Sequence, residues 1–393
     1  MRFRVVLILS CLALAGAGVS ADNDVIDCGH RSLADAVKNA DANHTIRFTG
    51  ICSGPIVIKR NGLTLKGIGT AVIDGGGGDA VTLTGASRAT LTNIEIRNGS
   101  NGILAVNGAH LQLTNLNIHD NAAHGISLQT ASSAALADIT TSHNGVHGLD
   151  LETGSSATVT GALTASFNRV FGLNVNGSAI TFSEATVVAS NNALGIQIAT
   201  GGNAFVNDAA SVITTSNNLA TGLTVVSGAH MVSFGGTINA SGNPVNGVSV
   251  NSQAGLDLDA GTALNAFNNG DGVVLQEASV MTVFNTPQFS GAPGFSVINA
   301  HNNSGTGVRL VGGSTLTVVN QARILGTQNG HAGLLADNGV GLTLVNSTLT
   351  GNTTKDLQLT FGTRADVSTT VVGTFTCDAT VLVRGTSGII CPH

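Results

Sequence analysis

Asn121-Ala-Ala-His124-Gly125-Ile126-Ser127-Leu128 is followed one interval later by Asn144-Gly-Val-His147-Gly148-Leu149-Asp150-Leu151. An Asn, a Gly four residues on, an aliphatic residue directly after it and a second aliphatic two positions later make up the pattern. It occurs eleven times, at Asn98, Asn121, Asn144, Asn168, Asn191, Asn218, Asn243, Asn268, Asn303, Asn329 and Asn352. Asp356 takes the Gly position in the last copy, and Ala105 and Ala336 replace the second aliphatic. Self-similarity at a period this short is the signature of a stacked repeat architecture.

One interval has room for three short strands and their turns. In the second these are Gly125–Leu128, Ala134–Ala137 and Ile139–Thr141, with the next Asn after them. Alternate side chains on a strand point to opposite faces, so Ile126 and Leu128 point inward and Ser127 outward. Coils of this length stack as a parallel β-solenoid, each hydrogen-bonded to the next about 4.8 Å along the axis. The leucine-rich consensus that shares the period is missing, as are the hairpin signals of a sandwich. The turn Asn has a structural task. Its amide can donate and accept between the turns above and below, where the ladder provides no partners. Gly at the strand entry permits φ > 0 or a close backbone approach.

The ends of the chain differ from the repeat. Residues 1–21 read as a secretory signal: Arg2 and Arg4, an apolar run from Val5 to Ala17, then Val19-Ser20-Ala21 as a small-residue cleavage site. Residues 22–393 read as one domain, with an N-terminal cap over 22–60 and a C-terminal cap over 361–393. Ser32-Leu-Ala-Asp35 fits a helix N-terminus. Leu33, Ala36, Val37 and Ala40 then form one apolar helical face able to close the first coil. Cys11 leaves with the signal, and Cys28, Cys52, Cys377 and Cys391 remain as two end pairs. In an exported chain an even count suggests disulfides, and proximity favours Cys28–Cys52 and Cys377–Cys391 over the other two connectivities. The expected location is secreted or periplasmic. The 35-residue interval holds Asn285–Gly294, read as a protruding loop.

Without the leader, 14 basic residues face 22 acidic ones, a net charge of −8. This argues against a nucleic-acid partner or an anionic membrane surface, both of which need a positive patch. Outward positions of the Gly-led strands should form two columns. One runs Leu104, Ser127, Asp150, Asn174, Gln197, Thr224, Ser249; the other contains Gln129, Glu152 and Asn176. Asp150 and Glu152 share one face roughly 6.5–7 Å apart, a separation found for paired carboxylates in glycoside hydrolysis. His124 and His147 precede the Gly of successive coils and should stack, and His143 should stack over Asp120. Asp150, Glu152, His147 and His124 are therefore the candidate catalytic residues. The alternative for the carboxylates is a solubilising role on an outward face, and for the histidines local turn hydrogen bonds. A His–Asp metal site lacks a third ligand at convincing spacing, and the pattern calls for no cofactor and no resident metal. A Ca²⁺ bridge to an acidic polymer is conceivable, with Asp257 and Asp259 facing the same way.

The Asn-x-x-x-Gly-aliphatic-x-aliphatic repeat, the capping helix near residues 32–40, and Gly67-Ile-Gly-Thr70 ahead of Ile73-Asp-Gly together resemble the right-handed parallel β-helix proteins of the pectin-lyase-like superfamily. The resemblance covers nearly all of the mature chain. It implies an all-β, right-handed, single-stranded parallel β-helix with a short N-terminal capping helix. Members include pectate lyases, polygalacturonases, alginate epimerases and lyases, and adhesins. The epimerases' Asp-Pro-His-Glu and the polygalacturonases' Asn-Thr-Asp and Asp-Asp do not occur here, although His124-Gly and His147-Gly faintly echo the latter's Gly-His-Gly. The outward columns from Leu104 to Val274 hold no Lys or Arg. The chain also has no Trp and no Tyr, so a sugar site would rely on hydrogen bonds rather than ring stacking. Phe182, Phe205 and Phe234 are expected in the core; Phe167, Phe171, Phe289 and Phe295 could touch a ligand. Two readings follow. The first is a binding or structural role in the cell envelope, on a polysaccharide partner. The second is a polysaccharide-modifying lyase, hydrolase or epimerase working along the face of Asp150 and Glu152.

Overall fold

The computed structural model describes residues 25–85, 88–286, 294–385 and 388–391. The proposed signal and most of the Asn285–Gly294 insertion, including Phe289, lie outside them. The fold is the expected right-handed parallel β-helix with one short helix near its N-terminus. The Gly-led strands form one sheet of 14, from Ile56–Ile58 to Phe375–Cys377. Pairing is parallel and in register. Ile126 faces Leu149, then Leu173, Ile196, Leu223, Val248, Val273, Val308, Leu334 and Leu357 in one internal stack. All of these are 0–1% exposed.

The rest of each coil belongs to a second sheet. In the early coils the two expected strands are one bent strand, as in Ser133–Ser142. The bend sits at Asn93, Asn115 or Asp138, each with positive φ, a conformation that Asn and Asp tolerate. Later coils separate the two strands, for example Asn203–Val206 and Val212–Ser216.

The turn Asn residues form a continuous ladder, with one correction to the sequence register. The backbone N–H and Nδ2 of Asn144 both donate to Oδ1 of Asn168, at 3.1 and 2.9 Å. The same double bond links Asn168 to Asn192, Asn192 to Asn218, Asn243 to Asn269 and Asn269 to Asn303. Asn192 and Asn269 thus take the ladder positions, not Asn191 and Asn268. The latter two occupy the preceding left-handed position, at φ 57° and 56°, like Asp120, His143 and Phe167 in other coils. Asn98 is likewise left-handed and bonds Asp74 at 2.8 Å, and the ladder begins where Gly99 N–H donates to Asn121. In these coils the link from ladder to Gly is one residue shorter, so a constant four-residue spacing selects the wrong neighbour.

The ladder also explains the Gly. A Cβ on Gly148 would lie 2.8 Å from Nδ2 of Asn168 and 2.5 Å from Oγ1 of Thr141. Close approach, not positive φ, is therefore what requires glycine at this position. The last coil has no ladder Asn beyond it, and Asp356 fills that space. Its Oδ1 accepts from Asn352 N–H and Nδ2, and its Oδ2 from Thr374 N–H and Oγ1. A carboxylate, which only accepts, suits a terminus where four donors converge.

At the N-terminal end, the helix Leu33–Asn39 has Ser32 as N-cap, its hydroxyl accepting from Asp35 N–H at 3.1 Å. Leu33 and Val37 are buried in the core. Cys28–Cys52 and Cys377–Cys391 are both bridged. Of the three expected core phenylalanines only Phe182 is internal, at 1% exposed. Phe205 is half-buried between Ala204 and Val206, which hold the inward positions, and Phe234 is 38% exposed.

The ladder assignment has a direct test. Asn192→Ala leaves two buried donors of Asn168 without an acceptor, at about 1–3 kcal/mol each. Asn191→Gly keeps a residue suited to positive φ. Thermal unfolding should show a large loss of Tm for the first and near-wild-type behaviour for the second.

Candidate functional site

Ser127, Asp150, Asn174, Gln197, Thr224 and Ser249 stand in one column, as the sequence implies. Their exposure does not follow from their outward orientation. Ser127 is 0%, Asp150 1%, Asn174 5% and Ser249 5% exposed. Side chains of adjacent coils close over them: Asn174 Nδ2 donates to Asp150 Oδ1 at 2.8 Å, and Gln197 Nε2 to Asn174 Oδ1 at 3.2 Å. The hydroxyl of Ser127 also bonds Asp150. Asn174 and Ser127 are the partners that sequence reasoning did not single out. The available signal was their place one coil either side of Asp150.

The structure brings all four candidates together. His124 and His147 stack one coil apart with ring centroids 5.0 Å apart, and Phe171 continues the row at 4.9 Å. Nε2 of His124 lies 4.0 Å from Oδ2 of Asp150. Desolvation pushes the Asp150 carboxyl above its ordinary range, against the hydrogen bonds from Asn174 and Ser127. The neighbouring Asp150 charge, then burial, raises Glu152. Burial lowers His124, opposed by the Glu152 charge. Burial, with His124 adding to it, brings His147 down to about 4. Both imidazoles are thus held neutral and both carboxyls are drawn toward the protonated form. Glu152 is half-buried and the His124 side chain 20% exposed, so these two are the accessible members.

One nitrogen of each imidazole is distinctive. The Phe171 N–H donates to Nδ1 of His147 at 3.2 Å, which fixes the neutral tautomer with its proton on Nε2. Nδ1 of His124 is buried and has no hydrogen-bond partner among the described residues.

His124, His147 and Asp150 each place one donor atom within 4.8 Å of the others, close enough to surround a metal ion. The tautomer of His147 does not fit that use. With Nδ1 accepting from Phe171, its Nε2 carries a hydrogen and has no lone pair for a metal. The Ca²⁺ idea needs correction too. Asp257 and Asp259 lie on Gly255–Asp259 in the second sheet, where Asp257 pairs with His230 at 3.1 Å. Asp259 accepts from the N–H groups of Ala260 and Thr286.

Other predicted residues stand apart. His119 joins a surface network with Glu95 and Asp120, at 3.4 and 2.7 Å. His143 shares a column with Asp120 and stacks on Phe167 at 5.1 Å. Phe167 and Phe295 are about half exposed, at 54% and 48%. Grooves of about 520 and 540 Å³ lie on the second sheet, around Arg88 and His110 and around Arg364 and Leu382, away from Asp150.

A family model described as a right-handed beta helix region matches residues 56–219. The match is to the fold that the chain adopts, a right-handed parallel β-helix. The matched span contains the whole His124–Glu152 cluster of this β-helix. The A-module of mannuronan C-5 epimerase AlgE6 from Azotobacter vinelandii is similar in structure. Its TM-score is 0.41 at 14% identity over 89% of this chain and 93% of that one. The AlgE4 A-module of the same organism gives a TM-score of 0.28 at 13% identity, covering 92% of each chain. Pectate lyase Pel9A gives 0.23 at 11% identity, over 91% of the β-helix and 77% of its own chain. No curated protein sequence matches the chain.

The tautomer and burial of His147 predict a pH effect on stability. Its folded pKa is depressed, so the unfolded chain takes up the proton first as pH falls through 6.5, and stability drops until about pH 4. The loss from this group is at most about 3 kcal/mol. Tm measured across that window should fall less steeply in His147→Gln than in wild type.

Proposed function

We propose that the protein is exported and carries out general acid–base chemistry on an extracellular polysaccharide, with Glu152 as the acid and His124 as the base. The two disulfides fit an oxidising compartment. Among the described residues no helix is long and apolar enough to cross a membrane.

One observation supports proton transfer over a purely structural face. Among the described residues, a nearly unexposed carboxyl with no Lys or Arg paired to it adjoins an imidazole whose buried Nδ1 has no partner. Each feature costs stability, of order 1–3 kcal/mol for an unsatisfied buried polar group. Costs of that kind concentrate where chemistry needs them.

The geometry divides the roles. Asp150 is too buried to touch a sugar, so it acts through Glu152 by raising that group's pKa, and is a positioning residue. Protonated Glu152 can give its proton to a glycosidic or ring-substituent oxygen. Neutral His124 can take one from water or from a sugar carbon. His147 holds the row in place from its bond to Phe171. The rate should fall at high pH as Glu152 loses its proton, and at low pH as His124 gains one.

Retained binding without turnover is the second reading. It is favoured by the hydrogen-bonded column from Ser127 to Gln197, in which each side chain already satisfies the next. A panel of neutral and acidic polysaccharides separates the two. Reducing ends or unsaturated products should appear with at least one polymer and fall by about 10²-fold or more in Glu152→Gln. Glu184→Gln, on the opposite sheet, should leave the rate unchanged. Polymer binding with no product from any member of the panel would leave the second reading.

A further inference from the structure

A concave site lies at the N-terminal end of the same sheet, away from the acid–base cluster. Between the helix Leu33–Asn39 and the strand Ile56–Ile58 is a pocket of about 510 Å³. Val37 and Val57 give it an apolar floor, and Lys38, Lys59 and Arg60 stand around it with one carboxylate, Asp35. Val57 heads the outward column that reaches Asp150 through Thr82, Leu104 and Ser127. Four coil steps separate the pocket from Asp150, about 19 Å along the axis.

The charge here runs against that of the protein. The chain is acidic overall, yet eight of the 14 basic residues beyond the leader fall between Arg31 and Arg97. Three of those eight meet at this pocket. None of the three forms an ion pair among the described residues. Three cations against the single carboxylate of Asp35 leave a net positive pocket, and a bound anion relieves the remaining repulsion. The volume falls within the range of small-molecule sites, which combine an apolar lining with a few convergent polar groups.

We propose that this pocket binds a small, soluble amphiphilic anion: a carboxylate or phosphate carried on a short aliphatic body. Val37 and Val57 take the aliphatic part. Lys38 and Lys59 supply point charges, and Arg60 supplies a planar fork that matches two oxygens of a carboxylate or phosphate. Asp35 weakens binding by repulsion, so its removal tightens the complex. The site does not depend on the chemistry proposed at Glu152.

Calorimetric titration of the full-length mature chain tests this with octanoate and octyl phosphate as probes. Octyltrimethylammonium and inorganic phosphate serve as controls for the apolar and charged parts alone. Both amphiphilic anions should bind, the ammonium amphiphile should not, and inorganic phosphate should bind more weakly. Lys59→Gln/Arg60→Gln should weaken binding by about tenfold, and Asp35→Asn should strengthen it. These side chains are exposed, so an unchanged Tm checks that each variant is folded. Equal binding of the anionic and cationic amphiphiles would overturn the proposal. So would unchanged affinity in the double variant, or binding to phosphatidylglycerol vesicles without binding to the soluble anions. Glu152→Gln should bind the probes as wild type does, which separates this result from the fate of the acid–base reading.

Discussion

The amide of one turn Asn, bonded twice to the amide of the next coil, is the contact on which the architecture depends. It takes the two donors of a turn residue, its N–H and Nδ2, to a single oxygen one coil along. The second hydrogen of Nδ2 reaches a carbonyl of the previous coil, as from Asn218 to Ala189. A buried turn outside the strand ladder would otherwise leave these groups unpaired. Each Asn thereby fixes both the spacing and the rotation of its coil. The internal aliphatic stack and the outward columns inherit their register from it. The same contact dictates the glycines, because the Nδ2 of the next coil occupies the space that a Cβ would need.

Two aspartates show how far position overrides residue type. Asp356 ends the ladder and receives bonds from Asn352 and Thr374, which outweigh its desolvation and hold its carboxyl below the usual range. Asp150 holds an outward strand position in mid-column and receives bonds only from Asn174 and Ser127, which do not offset burial. One carboxylate is therefore a stable terminus, and its stability is lost as pH falls through its depressed pKa. The other is raised, so the fold favours its protonated form and loses that advantage as pH rises. The chemistry of a carboxyl in this solenoid is set by how many donors its two neighbouring coils supply.

The repeat made the coil and the internal stack legible in the sequence, and spacing within the two non-repeating ends did the same for both disulfide pairs and the capping helix. Alternation along a strand also placed Asp150 and Glu152 on one face, and equal offsets from Gly placed His124 over His147. What spacing could not provide was the contact between side chains of neighbouring coils. Asn191 and Asn268 sit at the expected distance from Gly, but the choice between adjacent Asn residues depends on which one adopts positive φ. Phe205 and Phe234 read as core by hydrophobicity, while the inward positions of those strands belong to Ala204, Val206 and Met231. The burial of Asp150 was equally hidden, since an outward position implies exposure unless Asn174 folds across it.

Stacking converts sequence distance into axial distance at a nearly constant rate, and the charge pattern takes on spatial meaning from that. Cations gather in the first coils, the carboxyl–imidazole cluster follows about four coils later, and the column between them is uncharged through Thr82, Leu104 and Ser127. Opposite charges held that far apart at the surface interact weakly, because the separation exceeds the screening length of about 8 Å at physiological ionic strength. The two groups therefore contribute little to each other's pKa. The raised carboxyls and lowered imidazoles must come from burial and immediate neighbours alone, which is what the contacts of Asp150, Glu152, His124 and His147 provide. A solenoid can thus carry a cationic end and a carboxyl–imidazole cluster on one wall without either disturbing the other.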